Sequence, residues 1–197
     1  MKKRSGIAGV LLGVLVVIIA LGVVGGGCAI SGYNRAVNLD QEVKKAWSDV
    51  ETMLQRRYDL IPNLVETVKG YARHEDKLFT AIAEARTRYF QAKTPGDKMK
   101  AARGIEGLLS RLLVLREAYP ELKAQEGFLR LQDELAGTEN RISVARKRYN
   151  DAVRRLNTYC RSFFGRIFCG WAGVEPAEYF EMQPQAKEVP KVDFGGD

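Results

Sequence analysis

The sequence predicts an all-α protein: an N-terminal transmembrane helix followed by an up-down-up-down four-helix bundle with two long and two shorter helices. Three observations predict it. Residues 6–30 carry no charged side chain, apolar residues beyond Tyr33 recur in alternating steps of four and three, and no hydrophobic period of two occurs anywhere. The 197 residues, 46% of them hydrophobic, suit one domain with a core of useful size.

Residues 1–5 form a basic flank containing Lys2, Lys3 and Arg4. Residues 6–30 form the anchor. Its centre, VLLGVLVVIIALGVV, is long enough to cross a hydrocarbon layer of ~30 Å at about 1.5 Å per residue. Two rival readings stand beside the retained anchor. A cleaved signal has a shorter apolar stretch and a small-x-small site, and here Gly25, Gly26 and Gly27 are small. A lipoprotein signal makes Cys28 a candidate lipidation site, although Gly25 stands where a Leu-like residue is usual. Positive charge lies closer to the span on its N-terminal side, since Arg35, Lys44 and Lys45 come later. The expected location is a cell membrane, crossed once, with the bundle extracytoplasmic.

The bundle domain is expected over 33–163. Its first long helix, Tyr33 to His74, has the seam Val43, Trp47, Val50, Leu54, Arg57, Ile61, Leu64, Val68, Tyr71. Pro62 inside that run removes an N–H and should leave the carbonyl of Tyr58 unpaired at a kink. A shorter helix, Asp76 to Ala92, turns Phe79, Ile82, Ala83, Arg86 and Tyr89 to one face. Thr94-Pro95-Gly96-Asp97 reads as a turn, and Lys98 to Ala118 as the next helix. Tyr119-Pro120 marks a boundary. The last long helix, Glu121 to Phe163, has a seam from Phe128 to Phe163 in which only Thr138 is polar.

Arg57 is the one charged residue of its seam. If the two long helices are antiparallel with flush ends, Arg57 lies opposite Glu139. A structural ion pair Arg57–Glu139 is therefore expected, with Thr138 polar for the same reason. The bland alternative is that Arg57 snorkels to water.

Residues 164–182 form an aromatic segment. It is expected to cap one end of the bundle, and the interfacial alternative makes Phe164, Arg166, Ile167, Phe168 and Trp171 a lipid or partner contact. Residues 183–197 are polar, hold Pro190 and read as a disordered tail. In an oxidising compartment Cys160 and Cys169 are able to pair, and free buried thiols are the alternative.

No catalytic residue is predicted. Walker, H-E-x-x-H, G-x-S-x-G and EF-hand motifs are missing. With one histidine (His74) and three cysteines lacking C-x-x-C spacing, no metal site and no cofactor are expected. The charge of +7 includes the three basic residues before the span, so the remainder is too weak a field to argue nucleic-acid binding. Two A-R-x-R-Y runs, Ala85–Tyr89 and Ala145–Tyr149, read as helix faces with the Tyr inward and the Arg paired to nearby glutamates. Their functional alternative is a basic face for lipid or an acidic partner.

Three stretches together resemble the LemA family: YNRAV, AWSDVETMLQRRYDLIPNLVETVKGYARHE, and YPELKAQEGFLRLQDELAGTENRISVARKRYNDAV. The likeness covers roughly Tyr33 to Phe180, and the R-R-x-D-L-I-P-N-L-V and T-E-N-R-I-x-x-A-R-x-x-Y-N motifs carry it. The sequence departs at Ser162-Phe163-Phe164, where family members usually show Phe-Pro. The resemblance implies a bacterial-type single-pass membrane protein with a helical bundle and no established enzymatic activity. The expected function is a scaffold or adaptor for other envelope proteins. The alternative is membrane organisation through anionic lipid headgroups. Membrane lipid and an unidentified membrane or envelope protein are the expected partners.

Overall fold

Six α-helices and no strand form among the described residues, 3–181, of the computed structural model. They are α1 (Lys3–Lys69), α2 (Asp76–Gln91), α3 (Pro95–Ala118), α4 (Pro120–Lys123), α5 (Glu126–Arg161) and α6 (Phe163–Ala172). The tail expected at 183–197 lies outside the described residues. The chain divides into two compact units: Met1–Lys44 with Ala152–Ala177, and Lys45–Asp151 with Glu178–Asp197.

The anchor and the first bundle helix, read from sequence as separate segments, are one helix. Gly25, Gly26 and Gly27 do not interrupt it. Their helix penalty of roughly 1 kcal/mol each is small beside leaving backbone groups unpaired in an apolar layer. From Leu12 to Ile30 the large apolar side chains of α1 are 50% to 70% exposed, so nothing among the described residues covers them. This is the one helix among the described residues long and apolar enough to cross a membrane.

In the second unit, α1 from Lys45, α2, α3 and α5 to Asp151 pack as the four-helix bundle. Val50, Leu54, Ile61, Leu64 and Val68 are buried, which gives the alternating four-three seam its physical cause. Tyr71 falls past the helix end and is exposed, because α1 stops at Lys69 rather than at His74. The α1–α5 register is fixed at two levels: Arg57 Nη1 donates to Glu139 Oε2, and the Trp47 and Tyr149 rings meet edge-on at 5.5 Å. Each step of ten along α1 is matched by ten back along α5, as antiparallel helices of equal rise require.

Pro62 leaves the Tyr58 carbonyl without its helical donor, and α2 supplies another. Arg86 Nε donates to Tyr58 O at 3.1 Å, and the same guanidinium stacks 4.9 Å from the Phe90 ring. The helix therefore runs on through Pro62. Thr94-Pro95-Gly96-Asp97, expected as a turn, is instead the capped start of α3. Thr94 accepts from the Asp97 amide at 3.1 Å, and Pro95 takes the first helical position, where no N–H is needed.

The last long helix is shorter than its seam suggests. Gln125 accepts from the Phe128 amide at 2.6 Å, so α5 starts at Glu126. At the other end Ser162 adopts extended backbone (ψ 158°) and breaks the helix before Phe163. Phe163, placed on the seam by sequence, is 80% exposed for that reason.

Candidate functional site

Two groups of polar and aromatic side chains stand out, one in each unit. In the second unit a charged cluster lies inside the bundle. The side chain of Arg57 is 10% exposed and that of Glu139 43%, so the pair is buried at its guanidinium end and open at its carboxylate end. Thr138 is buried but serves itself, its hydroxyl donating to Leu135 O at 2.8 Å. Its polarity is thus unrelated to the ion pair, contrary to expectation. Sequence reasoning missed Glu106. It enters this cluster from α3 with Oε1 buried and without a partner among the described residues. Burial, then the Glu139 charge, pushes its carboxyl up from the ordinary range, while Arg57, Arg146 and Arg103 pull it down. The Tyr58 and Tyr89 rings pack edge-on at 4.5 Å, and burial drives both phenols far above their usual range.

A raised carboxylate favours the protonated fold. Glu106 should cost nothing below the unfolded carboxyl range, near 4.5, and progressively more as pH rises through its own higher value. Glu106→Gln is expected to raise the melting temperature at neutral pH and to flatten its decline above pH 4.5. Thermal scans across pH check this, and an unchanged slope would refute it.

The two A-R-x-R-Y runs have parallel roles. Tyr89 and Tyr149 are buried, Arg86 stacks on Phe90, and Arg146 lies 5.7 Å over the Phe180 ring. The carboxylate near Arg86 is Asp59, at 3.7 Å, rather than a nearby glutamate of its own helix. Phe180, from the stretch expected to be an aromatic cap, is buried against Trp47 at 6.4 Å. Asn150 holds it at both ends, accepting from Phe180 N at 2.8 Å and donating to Phe180 O at 3.0 Å. An open groove between α1 and α5, about 470 Å³, is lined by Asp49, Met53, Asn140, Arg141, Val144, Ala145 and Arg148.

The first unit presents the other group, beside the end of the apolar span. The α5–α6 corner is tight: Ser162 Oγ accepts from Gly165 N at 3.2 Å, and a Cβ on Gly165 would lie 1.9 Å from Tyr159 O. Only glycine fits there. Cys160 and Cys169 are bridged, which ties α6 to the end of α5. Phe168 packs its ring onto Gly32, where a Cβ would come within 2.2 Å. Tyr159 Oη donates to Gly32 O at 2.8 Å, and Arg35 stacks 5.3 Å from the Tyr159 ring. In the same unit Asn157 holds Ala177 by two hydrogen bonds of 2.9 Å, as Asn150 holds Phe180 in the other.

The rings of α6 do not act as a cap. Phe164 is 66% and Trp171 65% exposed, and Arg166 and Ile167 also face outward. Of the expected contact residues, Phe168 alone is partly covered, by Gly32 and by Trp171 at 5.7 Å. Cys28 is exposed and unbridged on α1. Among the described residues no group of three or more His, Cys, Asp or Glu is placed to hold a metal ion.

An uncovered apolar helix that continues into a helical bundle defines a membrane-associated helical protein. The sequence profile of the LemA family matches residues 46–194, and the chain belongs to that family. It is similar to magnetosome protein MamQ 2 of Paramagnetospirillum magneticum, 27% identical over 178 residues, covering 77% of this chain and 65% of the relative. Magnetosome protein MamQ of Magnetospirillum gryphiswaldense is 24% identical over the same shares, 77% and 65%. Protein LemA of Metamycoplasma hominis is 22% identical over 166 residues, 81% of this chain and 72% of the relative. The chain thus spans 65% of the length of the magnetosome relatives it matches.

Proposed function

We propose that this protein is a non-enzymatic scaffold, anchored in a cell membrane, whose extracytoplasmic bundle serves as an adaptor for other envelope proteins. The observation that carries the reading is the continuity of α1, a single helix from Lys3 to Lys69 that is apolar and exposed in its first part and a core helix of the bundle in its last. The interior charges support binding over catalysis, since Arg57 is consumed by Glu139 inside the bundle rather than offered to a cleft. Two features support the extracytoplasmic side: the basic residues ahead of the span, and a Cys160–Cys169 bridge of the kind oxidising compartments sustain.

Photo-crosslinking from Met53 and Val144 in cells tests the adaptor role. Both positions line the α1–α5 groove, and both should give the same discrete protein adduct. Val144→Glu should abolish the adduct formed from Met53. Lack of any protein adduct, or adducts indifferent to Val144→Glu, would count against the scaffold.

A second reading, contact with anionic lipid headgroups, is favoured by one observation: α6 exposes Phe163, Phe164 and Trp171 in the unit that contains the end of the span. Aromatic side chains of this kind concentrate at the boundary between headgroups and hydrocarbon.

A further inference from the structure

The first unit holds a second feature at the same level. A groove of about 570 Å³ lies between α1 and the end of α5, and Arg35, Arg154, Arg155, Thr158, Tyr159 and Ser162 line it. The three guanidinium groups make a wall suited to phosphate oxygens, because arginine presents forked donors that a phosphate accepts in pairs. The Tyr159 and Ser162 hydroxyls already donate elsewhere, to Gly32 O at 2.8 Å and to Tyr159 O at 2.7 Å. Glu42 borders it and accepts from Arg155 at 2.9 Å.

Depth identifies the occupant. Arg35 stands five residues beyond Ile30, the end of the charge-free run, so it lies about 7.5 Å further along the helix. The headgroup layer on each face of a bilayer is roughly 5–8 Å thick. Arg35 therefore meets the zone where lipid phosphates are. Tyr159 is tied to that level by its bond to Gly32 O, and α6 is tied to it by Phe168 on Gly32. The exposed rings of α6 and the arginines of α1 and α5 thus lie in one unit with the end of the apolar run, an aromatic group and a basic group of the kinds that hydrocarbon boundaries and phosphates attract.

We propose that this groove binds the phosphate of an anionic phospholipid from the leaflet that α1 enters, with the aromatic face of α6 seated in the same interface. The proposal rests on the second functional reading and gives it a defined site. The full chain, in vesicles of phosphatidylcholine with or without phosphatidylglycerol, tests both.

Lipids carrying bromine near the headgroup should quench Trp171 but spare buried Trp47, so that Trp171→Phe removes the quenching. Native mass spectrometry should show phosphatidylglycerol retained in preference to phosphatidylcholine. Arg35→Gln and Arg154→Gln should each lower that retention about fivefold, the effect of one basic side chain at an anionic surface. Arg35→Lys should keep most of it. Lys44→Gln, an equal loss of charge outside the groove, should leave it unchanged. If Trp171 is quenched but retention ignores the arginines, or falls equally with Lys44→Gln, the groove is refuted and the interfacial reading survives. Retained lipid that excess inorganic phosphate displaces would mark a free-anion site and overturn the proposal. An unquenched Trp171 would overturn the interfacial reading itself.

Discussion

Replacing Arg57 with methionine should destabilise the folded protein by about 3 kcal/mol, and the double change with Glu139→Leu should recover more than half of that loss. Removing the guanidinium strands two carboxylates. Glu139 is only partly able to reach water, and Glu106 loses the first of the cations that stabilise its charged form. Removing Glu139 alone leaves a positive charge buried, with Glu106 as its remaining acidic neighbour. The pair thus fixes the helix register more than it adds net stability, since an apolar pair of similar volume would fill the space nearly as well. Denaturant unfolding in detergent measures the cycle. The Arg57→Met penalty should also shrink as pH falls and Glu106 takes up a proton. Strictly additive single changes would show that the two residues do not depend on each other.

The second large effect concerns Pro62. Arg86→Met should cost about 2 kcal/mol, because it leaves the Tyr58 carbonyl buried without a donor and removes the stacking on Phe90. Pro62→Ala restores the missing N–H, which competes with Arg86 for the same oxygen. In that background the cost of Arg86→Met should fall below about 1 kcal/mol, leaving only the stacking and the weak contact with Asp59. An equal cost in both backgrounds would mean that Arg86 acts by packing alone and that the carbonyl is satisfied in some other way.

These two sites differ in how far they were legible beforehand. The seams of α1 and α5 repeat at the spacing of a helix face, and periodicity survives without knowledge of partners. The pairing of the seams then followed from one assumption, flush antiparallel ends, and it brings Arg57 to Glu139. The unpaired carbonyl at Tyr58 was equally readable from Pro62, but its donor was not, because Arg86 comes from another helix and one arginine among many carries no label. The α5–α6 corner escaped for a related reason. A single Ser–Gly capping contact ends α5, and three residues in a polar-aromatic stretch give no periodic signal. Phe180 escaped because its hold is made by one asparagine amide thirty residues away. Asn150 reads as an ordinary surface residue until the segment it grips is in place. Glu106 carries no signal of burial in the sequence, and only the packing around α3 turns it into an interior charge.

The bridge between Cys160 and Cys169 joins residues nine positions apart, and it forms only where oxidants reach the thiols. Chain made and kept in a reducing compartment would retain two thiols and a less firmly held α6. The chemical state of this corner is therefore a record of the redox conditions the chain has met. Alkylation of acid-quenched, denatured protein reads it, since sulfurs that resist were bridged and sulfurs that react were thiols, with no added tag.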